Sequence, residues 1–199
     1  DSLKSALANF AEACNAEEVI LFEKSTFLLT CFHSKNMISD DQRFEKISLL
    51  LFDLGIKTLT FYSFSTENWN RPKAEVTALM SLLISAIKDE LPGMIKKDIR
   101  LIAMGDLSKL PASSRAELDK AMAKTANNKG LTLNLALSYS GKWDLVQATQ
   151  QIADKVKRGE LNADSIDSDT IQAHLSTAGM PDPDLMIRTG GDHRISNFM

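Results

Sequence analysis

Two short stretches of the chain carry residue types that can hold a phosphorylated molecule. Ser63–Pro72 contains a carboxylate, amides, an indole and an arginine, and Arg188–Phe198 contains two arginines, a serine and a pair of glycines. Guanidinium groups pair bidentately with phosphate oxygens, and glycine allows the backbone to approach an anion closely. Each stretch follows an apolar run that predicts a strand, Lys57–Tyr62 or Asp184–Ile187. The pattern indicates a site beyond the carboxyl ends of the strands of an open α/β sheet.

The elements that must position these residues alternate between strand and helix from Leu59 onward. This alternation predicts an α/β fold with a mostly parallel sheet flanked by helices. Further strands are predicted at Ile99–Met104 and Leu131–Ser138, and the apolar run of the second is typical of burial on both faces. The predicted helices are Lys73–Lys97, with a kink or break at Pro92-Gly93, Ala112–Asn127, Lys142–Arg158 and Ser168–Ser176.

The chain before residue 57 has a different predicted order. A helix is expected at Leu3–Ala13, followed by strands at Glu18–Phe22 and Phe27–Phe32. The two strands are joined by a connection so short that we expect them to form a β-hairpin. A further helix is predicted to begin near Asp40 and to end at Leu54, before a glycine.

Four segments resemble, in order and spacing, the signature segments of the cis-prenyltransferase family, of the undecaprenyl diphosphate synthase type. They are Ser65–Pro72, Gly105–Pro111, Leu131–Asp144 and Arg188–Phe198, within a resemblance that runs from about residue 47 to residue 199. The resemblance implies a transferase of isoprenoid biosynthesis that condenses isopentenyl diphosphate with an allylic prenyl diphosphate. It also implies Mg²⁺ as the cofactor.

The resemblance assigns roles to individual residues. Arg188, Arg194 and Ser196 match residues that bind the diphosphate of isopentenyl diphosphate, while Gly190 and Gly191 supply backbone donors or only a turn. The residues of the first stretch match residues that line the family's active site. The resemblance implies catalytic roles for Glu67 and Asn68, and substrate contacts for Ser65, Trp69 and Arg71.

Each residue of the first stretch also has a structural alternative. Glu67 and Asn68 can cap the helix that follows Pro72, and Trp69 can pack beneath its own loop. Arg71 can pair with Glu75 four residues later instead of facing phosphate.

An apolar stripe on the Lys73–Lys97 helix likewise has two interpretations. It includes Leu79, Leu82 and Leu83. A stripe of this width is typical of a helix face that packs on a core. The resemblance implies instead one wall of a tunnel for a growing polyprenyl chain, and the sequence does not decide between the two.

One motif of the resembled family is missing. The family's first strand ends in Met-Asp-Gly-Asn-Gly-Arg-Trp-Ala, and its aspartate holds magnesium at the allylic diphosphate. Asp-Gly-Asn-Gly occurs nowhere in the 199 residues, and a further acidic residue of the family would follow Met199. We therefore expect diphosphate binding to persist while catalysis is impaired, and we assign no residue as a Mg²⁺ ligand.

Residues 1–46 resemble something else, part of the roadblock-like C-terminal domain of Rag-type GTPases. The resemblance rests on Asn15–Thr30 and on Arg43–Ser48. We interpret the chain as a chimera in which residues 1–46 replace the first strand region of a cis-prenyltransferase-like domain at residues 47–199. In that case Phe27–Phe32 should take the place of the missing first strand.

Composition excludes several classes of protein. A net charge of −3 argues against a nucleic-acid binder, whose surface is usually basic. No apolar run approaches the ~20 residues that span a bilayer, and no signal peptide is visible. Two cysteines, Cys14 and Cys31, are too few for a disulfide framework or a zinc site. We expect a cytoplasmic protein with reduced thiols, and leave membrane-peripheral association and homodimerisation open.

Two functions from other classes remain as alternatives. In the first, the chain is a non-enzymatic chimeric scaffold, and any bound anion is incidental. In the second, it is a Rag-like dimerisation module that uses the Val19–Phe32 hairpin at an interface. Product formation would separate the enzyme from the scaffold, and the mass in solution would test the dimerisation module.

Overall fold

The structure, a computed structural model, describes residues 26–30, 56–188 and 197–198. Within these residues a single five-stranded sheet has the order β3-β4-β2-β1-β5, and every neighbouring pair is parallel. The strands are β1 (Thr26–Thr30), β2 (Thr58–Ser65), β3 (Arg100–Met104), β4 (Thr132–Tyr139) and β5 (Leu185–Arg188). The α/β fold with a parallel sheet flanked by helices is therefore confirmed.

Strand β1 lies inside the sheet, between β2 and β5. Leu28 is paired with Thr60 on one side and with Met186 on the other. The expectation that Phe27–Phe32 joins the main sheet is thus confirmed over residues 26–30. The hairpin prediction was wrong for this strand, because both of its edges are occupied by parallel neighbours. Its almost wholly apolar centre is typical of a strand that is covered on both sides.

Other predictions for the first part of the chain fall outside the described residues. These are the hairpin strand Glu18–Phe22, the helix Leu3–Ala13 and the helix that was expected to end at Leu54. Both cysteines lie outside them as well.

Four α-helices connect the later strands, α1 (Lys73–Lys96), α2 (Ala112–Thr125), α3 (Gly141–Lys157) and α4 (Ser168–Gln172). Ser140 caps α3 by accepting a hydrogen bond on Oγ from the Trp143 N–H at 3.2 Å. Asp167 caps α4 by accepting a hydrogen bond on Oδ1 from the Thr170 N–H at 2.8 Å. The helix ends at Gln172, earlier than the predicted end at Ser176. Among the described helices, none combines the length and the apolar character that a bilayer crossing requires.

Helix α1 continues through Pro92-Gly93, so of the predicted kink or break the break is wrong. Proline removes one backbone donor, and Pro92 lies on the exposed side, near the end of the helix. The last turn is held by packing, since Met94 is only 5% exposed. The Met94 carbonyl also accepts a hydrogen bond from the Ile99 N–H at 2.8 Å. These contacts outweigh the loss of a single helical hydrogen bond.

Two hydrophobic clusters cover the sheet. In the larger one, Met80 of α1 and Leu118 of α2 pack with Leu59 of β2 and Leu133 and Leu135 of β4. The smaller one contains the next residue of β4 and lies near the carboxyl edge, and its members are Tyr62, Met104, Ala136, Tyr139 and Phe198. Successive strand residues point to opposite faces, so β4 is buried on both faces, as its sequence predicts.

Gly105, directly after β3, lies close against the backbone of β4. Its φ is +115°, and a Cβ there would lie 2.1 Å from the Leu137 carbonyl oxygen. Neither the backbone conformation nor the space allows a side chain, because β3 and β4 approach closely where they end.

We predict that Gly105→Ala lowers the free energy of unfolding by more than about 3 kcal/mol, since strain and a backbone clash add. Gly159→Ala is the matched control, because its φ is also positive, +73°, but nothing lies within 4 Å. That control should cost only about 1 kcal/mol. Urea denaturation of the three proteins measures both values, and equal losses would show that the close approach at Gly105 is not real.

Candidate active site

Parallel pairing brings the predicted site residues to one edge of the sheet. Strand β2 ends at Ser65, which is paired with Tyr139 at the end of β4. On the other side of β1, Arg188 ends β5 and is paired with Thr30. Arg194, Ser196, Gly190 and Gly191 lie outside the described residues. The arrangement of these four residues therefore stays a prediction. Arg188, where the stretch begins, is described as the last residue of β5.

The residues after β2 form a short 3₁₀ helix, Thr66–Asn70. The Ser65 N–H donates a hydrogen bond to Asn68 Oδ1 at 2.8 Å, and Ser65 itself is buried. The amide oxygen of Asn68 is thus occupied by capping. The cap belongs to this short helix and not to α1, which begins after Pro72.

Trp69 and Arg71 both make contacts within the protein. The Trp69 indole N–H donates to Ser138 Oγ at 2.9 Å, and its ring meets Phe64 edge-on at 4.9 Å. Arg71 forms an ion pair with Glu75. Exposed pairs of this kind contribute about 0.5 kcal/mol, so a phosphate could draw the guanidinium away. Trp69 is engaged as a packed aromatic, whereas Arg71 is free to exchange its partner.

Asn197 and Phe198 dock the second stretch onto the first, in an arrangement that we call the Asn197–Phe198 clasp. The Asn197 side-chain amide donates a hydrogen bond to the Glu67 carboxylate, 130 residues away in the sequence. The backbone carbonyl oxygen of Asn197 accepts a hydrogen bond from the Gly141 N–H at 2.6 Å. Phe198 is 1% exposed and stacks on Tyr62, with ring centroids 4.3 Å apart. The two motifs therefore meet at the carboxyl edge.

Two buried tyrosines form the floor beneath the clasp. Tyr62 Oη donates to the Tyr139 carbonyl at 3.0 Å, and the Tyr139 ring meets Phe198 edge-on at 5.9 Å. Burial raises the pKa of Tyr62 to about 12. Burial and the neighbouring Asp144 carboxylate also raise the pKa of Tyr139. Both phenols are neutral near pH 7. The stabilisation from Tyr62 is complete below its ordinary pKa of 10.0 and is lost as the pH rises through about 12.

Asp144 is a buried carboxylate in the first turn of α3. By its position it is expected to cap or begin that helix, but Ser140 provides the cap. Its Oδ2 accepts from the Tyr139 hydroxyl at 3.2 Å, and its Oδ1 accepts from the N–H and the hydroxyl of Ser176 at 2.9 and 2.8 Å. Asp144 thus ties β4 and α3 to the connection that leads into β5.

The described residues show no cluster of potential metal ligands. In this part of the chain, no group of three or more histidine, cysteine or acidic side chains is arranged to hold an ion. Glu67 accepts the hydrogen bond from Asn197, and Asp144 is buried and bonded to Tyr139 and Ser176.

The three leucines proposed for a tunnel wall do not share one environment. Leu79 and Leu83, one turn apart on α1, are half-buried and pack against the larger core cluster. Leu82 is 42% exposed. Leu79 and Leu83 therefore have contacts expected of a core face, and Leu82 lies on the rim of that face.

Comparison with known proteins decides the family. A prenyltransferase family model, described as undecaprenyl diphosphate synthase, matches residues 39–199. The chain belongs to this prenyltransferase family. The isoprenyl transferase of Porphyromonas gingivalis (strain ATCC BAA-308 / W83) is 52% identical over 145 residues, which are 73% of this chain and 57% of that protein.

A second relative covers the same share of both chains. The ditrans,polycis-undecaprenyl-diphosphate synthase ((2E,6E)-farnesyl-diphosphate specific) of Escherichia coli (strain K12) is 46% identical over 145 residues. This chain matches 57% of the length of each of these two curated relatives.

The fold matches solved prenyltransferase structures. The crystal structure of lavandulyl diphosphate synthase from Lavandula x intermedia, in complex with dimethylallyl diphosphate, aligns with a TM-score of 0.79 and 32% identity. The alignment covers 87% of this chain and 80% of that one. Residues 1–51 match a different family model, the Gtr1/RagA G protein conserved region. The two matches overlap at residues 39–51.

Several residues at this edge of the sheet received no role in the sequence analysis. Asn197 and Phe198 lie in the second stretch but received no role. Tyr62 was only the last residue of a predicted strand, and Tyr139 directly followed another, Leu131–Ser138. The available signal was an aromatic residue near the end of β2 and of β4. The contact between Glu67 and Asn197 had no local signal, because the two residues are 130 positions apart.

We predict that Asp144→Ala lowers the free energy of unfolding by at least about 3 kcal/mol, because it leaves a buried hydroxyl and two donors of Ser176 without an acceptor. Asp154→Ala, at an exposed position of the same helix, should change it by less than about 0.5 kcal/mol. Thermal and urea denaturation provide the measurement. A small effect at Asp144 would mean that Ser176 is not held by this carboxylate.

Proposed function

We propose that this chain binds the diphosphate of isopentenyl diphosphate at the carboxyl edge of its sheet, on the fold of enzymes that condense that substrate with an allylic prenyl diphosphate. The observation that carries the proposal is the Asn197–Phe198 clasp. It attaches the end of the arginine-containing stretch to Glu67 and buries Phe198 between Tyr62 and Tyr139. Both motifs of the family resemblance thereby contribute to one place.

Arg188, Arg194 and Ser196 are the proposed diphosphate ligands. Arg188 ends β5, one strand away from β1 and two away from β2, so the chain leaves the sheet at the edge where Ser65 ends β2. Two guanidinium forks can each bind two oxygens of a diphosphate, and a hydroxyl can donate a hydrogen bond to a further diphosphate oxygen. Charge-assisted bonds of this kind fix the orientation of the substrate as well as its affinity.

Orientation is what the proposed reaction needs from the protein. The allylic carbon–oxygen bond breaks and diphosphate leaves, the double bond of isopentenyl diphosphate attacks the resulting cation, and a proton is lost to restore a double bond. No covalent nucleophile is required, so holding the alkene next to the allylic carbon is the main contribution of these residues. In this proposal Glu67 and Asn68 act where the two substrates meet, and Ser65, Trp69 and Arg71 provide substrate contacts.

We propose that the allylic half of the site is incomplete. The residues after β1 are Cys31-Phe32-His33-Ser34, where the family resemblance expects Asp-Gly-Asn-Gly. Magnesium, when bound in this family, would neutralise the charge on the departing diphosphate. No acidic residue directly follows β1 to hold it, and the carboxylates of Glu67 and Asp144 accept hydrogen bonds from other residues of the protein. Binding of isopentenyl diphosphate would survive this loss, but turnover would not.

The structure gives less support to a Rag-like dimerisation module. That alternative needs the Val19–Phe32 hairpin at an interface, and it is motivated by the match of residues 1–51 to the Gtr1/RagA region. Residues 26–30 are instead paired with β2 and β5. A strand with both edges occupied cannot pair with a partner molecule.

We predict that the chain forms no polyprenyl product from farnesyl and isopentenyl diphosphates with Mg²⁺ at a rate comparable with a complete synthase. The reason is the missing aspartate after β1. Product chains are separated and quantified after extraction, with the isoprenyl transferase of P. gingivalis as the positive control. Product at a similar rate would show that another residue has replaced that aspartate.

We predict that pyrophosphate binds to the chain and that Arg194→Ala weakens the binding by roughly ten- to a hundred-fold, the value of one charge-assisted contact. Arg115→Ala is the control, because Arg115 lies on α2 and is paired with Asp119 at 2.8 Å. Both variants remove one positive charge. If calorimetric titration gives equal pyrophosphate affinities for the parent protein and both variants, the proposed anion site is disproved.

A further inference from the structure

Asn197 makes two contacts with separate elements of the carboxyl edge. Its side-chain amide donates to the carboxylate of Glu67, which follows β2, and its carbonyl accepts from the N–H of Gly141, at the start of α3. The next residue, Phe198, is buried against Tyr62 and Tyr139. The segment that leaves the sheet at Arg188 thus returns to a fixed point between the ends of β2 and β4.

The backbone at Asn197 restricts which residue can make these contacts. Its φ is +58°, in the left-handed region. Glycine, asparagine and aspartate adopt this region with the least strain. Glycine has no side chain to reach Glu67, and aspartate would place a second carboxylate against it. Asparagine combines a tolerated backbone with a donor, so both the conformation and the partner favour it.

We propose that Asn197 is a positioning residue that fixes the end of the Arg188–Phe198 stretch before a ligand arrives, and that Glu67 acts through it. The inference rests on the proposed diphosphate site. With Arg188 held by the pairing of β5 with β1, and Asn197 held by Glu67 and Gly141, both ends of the stretch are anchored. Anchoring the ends reduces the conformational entropy that the ligand must otherwise overcome.

The pair can be tested by exchanging its donor and its acceptor. Asn197→Asp keeps a residue that tolerates the positive φ but sets two carboxylates against each other. Adding Glu67→Gln to that variant restores one donor and one carboxylate with the hydrogen bond reversed, and it returns the net charge to that of the parent. Asn162→Asp is the matched control, since Asn162 Oδ1 accepts from the Asp164 N–H at 3.1 Å and aspartate caps equally well.

Two measurements report on different parts of the inference. Hydrogen exchange of the Gly141 amide reports the clasp without any ligand, and calorimetry with pyrophosphate reports the site. In Asn197→Asp we expect exchange to be faster and affinity lower, each by about tenfold or more. The double variant should recover both to within about threefold of the parent. Asn162→Asp should change neither.

The outcomes separate the clasp from the site. If exchange of the Gly141 amide is not faster in Asn197→Asp, or does not recover in the double variant, the contacts of the Asn197–Phe198 clasp are disproved. If exchange follows it but pyrophosphate affinity does not, Asn197 is structural only and the positioning role is overturned. If the parent binds no pyrophosphate at all, the proposed function fails, and the exchange data still decide whether the contact exists. Parallel loss and recovery of both quantities supports the inference.

Discussion

The burial of Phe198 against Tyr62 and Tyr139 is the interaction on which the organisation of the site depends. These three rings belong to the end of β2, the end of β4 and the stretch that follows β5. Removing such apolar surface from water stabilises the contact without a directional requirement. The hydrogen bonds of Asn197 then give it direction, since they are possible only in one orientation of the chain. Packing brings the two stretches together, and hydrogen bonding sets how they face each other.

Much of the fold follows from sequence patterns because those patterns reflect burial. The apolar run of β4 predicted a strand covered on both faces, and seven of its eight residues are buried. Pro92 misled the same reasoning, because local propensity cannot register that Met94 packs into the core beyond it. The hairpin failed for a related reason. A short connection favours pairing with a sequence neighbour, but β1 instead pairs with β2 and β5, which are distant in the sequence.

The site was predictable only where its residues stand close together in the sequence. Glu67, Asn68 and Trp69 were found as one group, yet the structure engages each differently, with Asn197, the Ser65 N–H and Ser138. Their partners are not neighbours in the sequence, apart from Ser65. The role of Asn197 depends on a positive φ and on a contact 130 residues away, and neither leaves a local pattern. The residue types of a short stretch can indicate a site of this kind, but which partner each residue contacts can be read only from the fold.

Fold and chemistry separate most clearly at β1. Residues 1–51 match the Gtr1/RagA region, yet residues 26–30 lie in parallel register between two strands of the prenyltransferase match. A parallel sheet asks of an interior strand mainly that it be apolar and extended, and Phe27-Leu28-Leu29 meets that requirement. The motif that the family resemblance leads one to expect directly after the strand contains an aspartate, whereas Cys31-Phe32-His33-Ser34 offers no carboxylate there. A strand can therefore fill this position in the sheet without the carboxylate that the family motif would place after it.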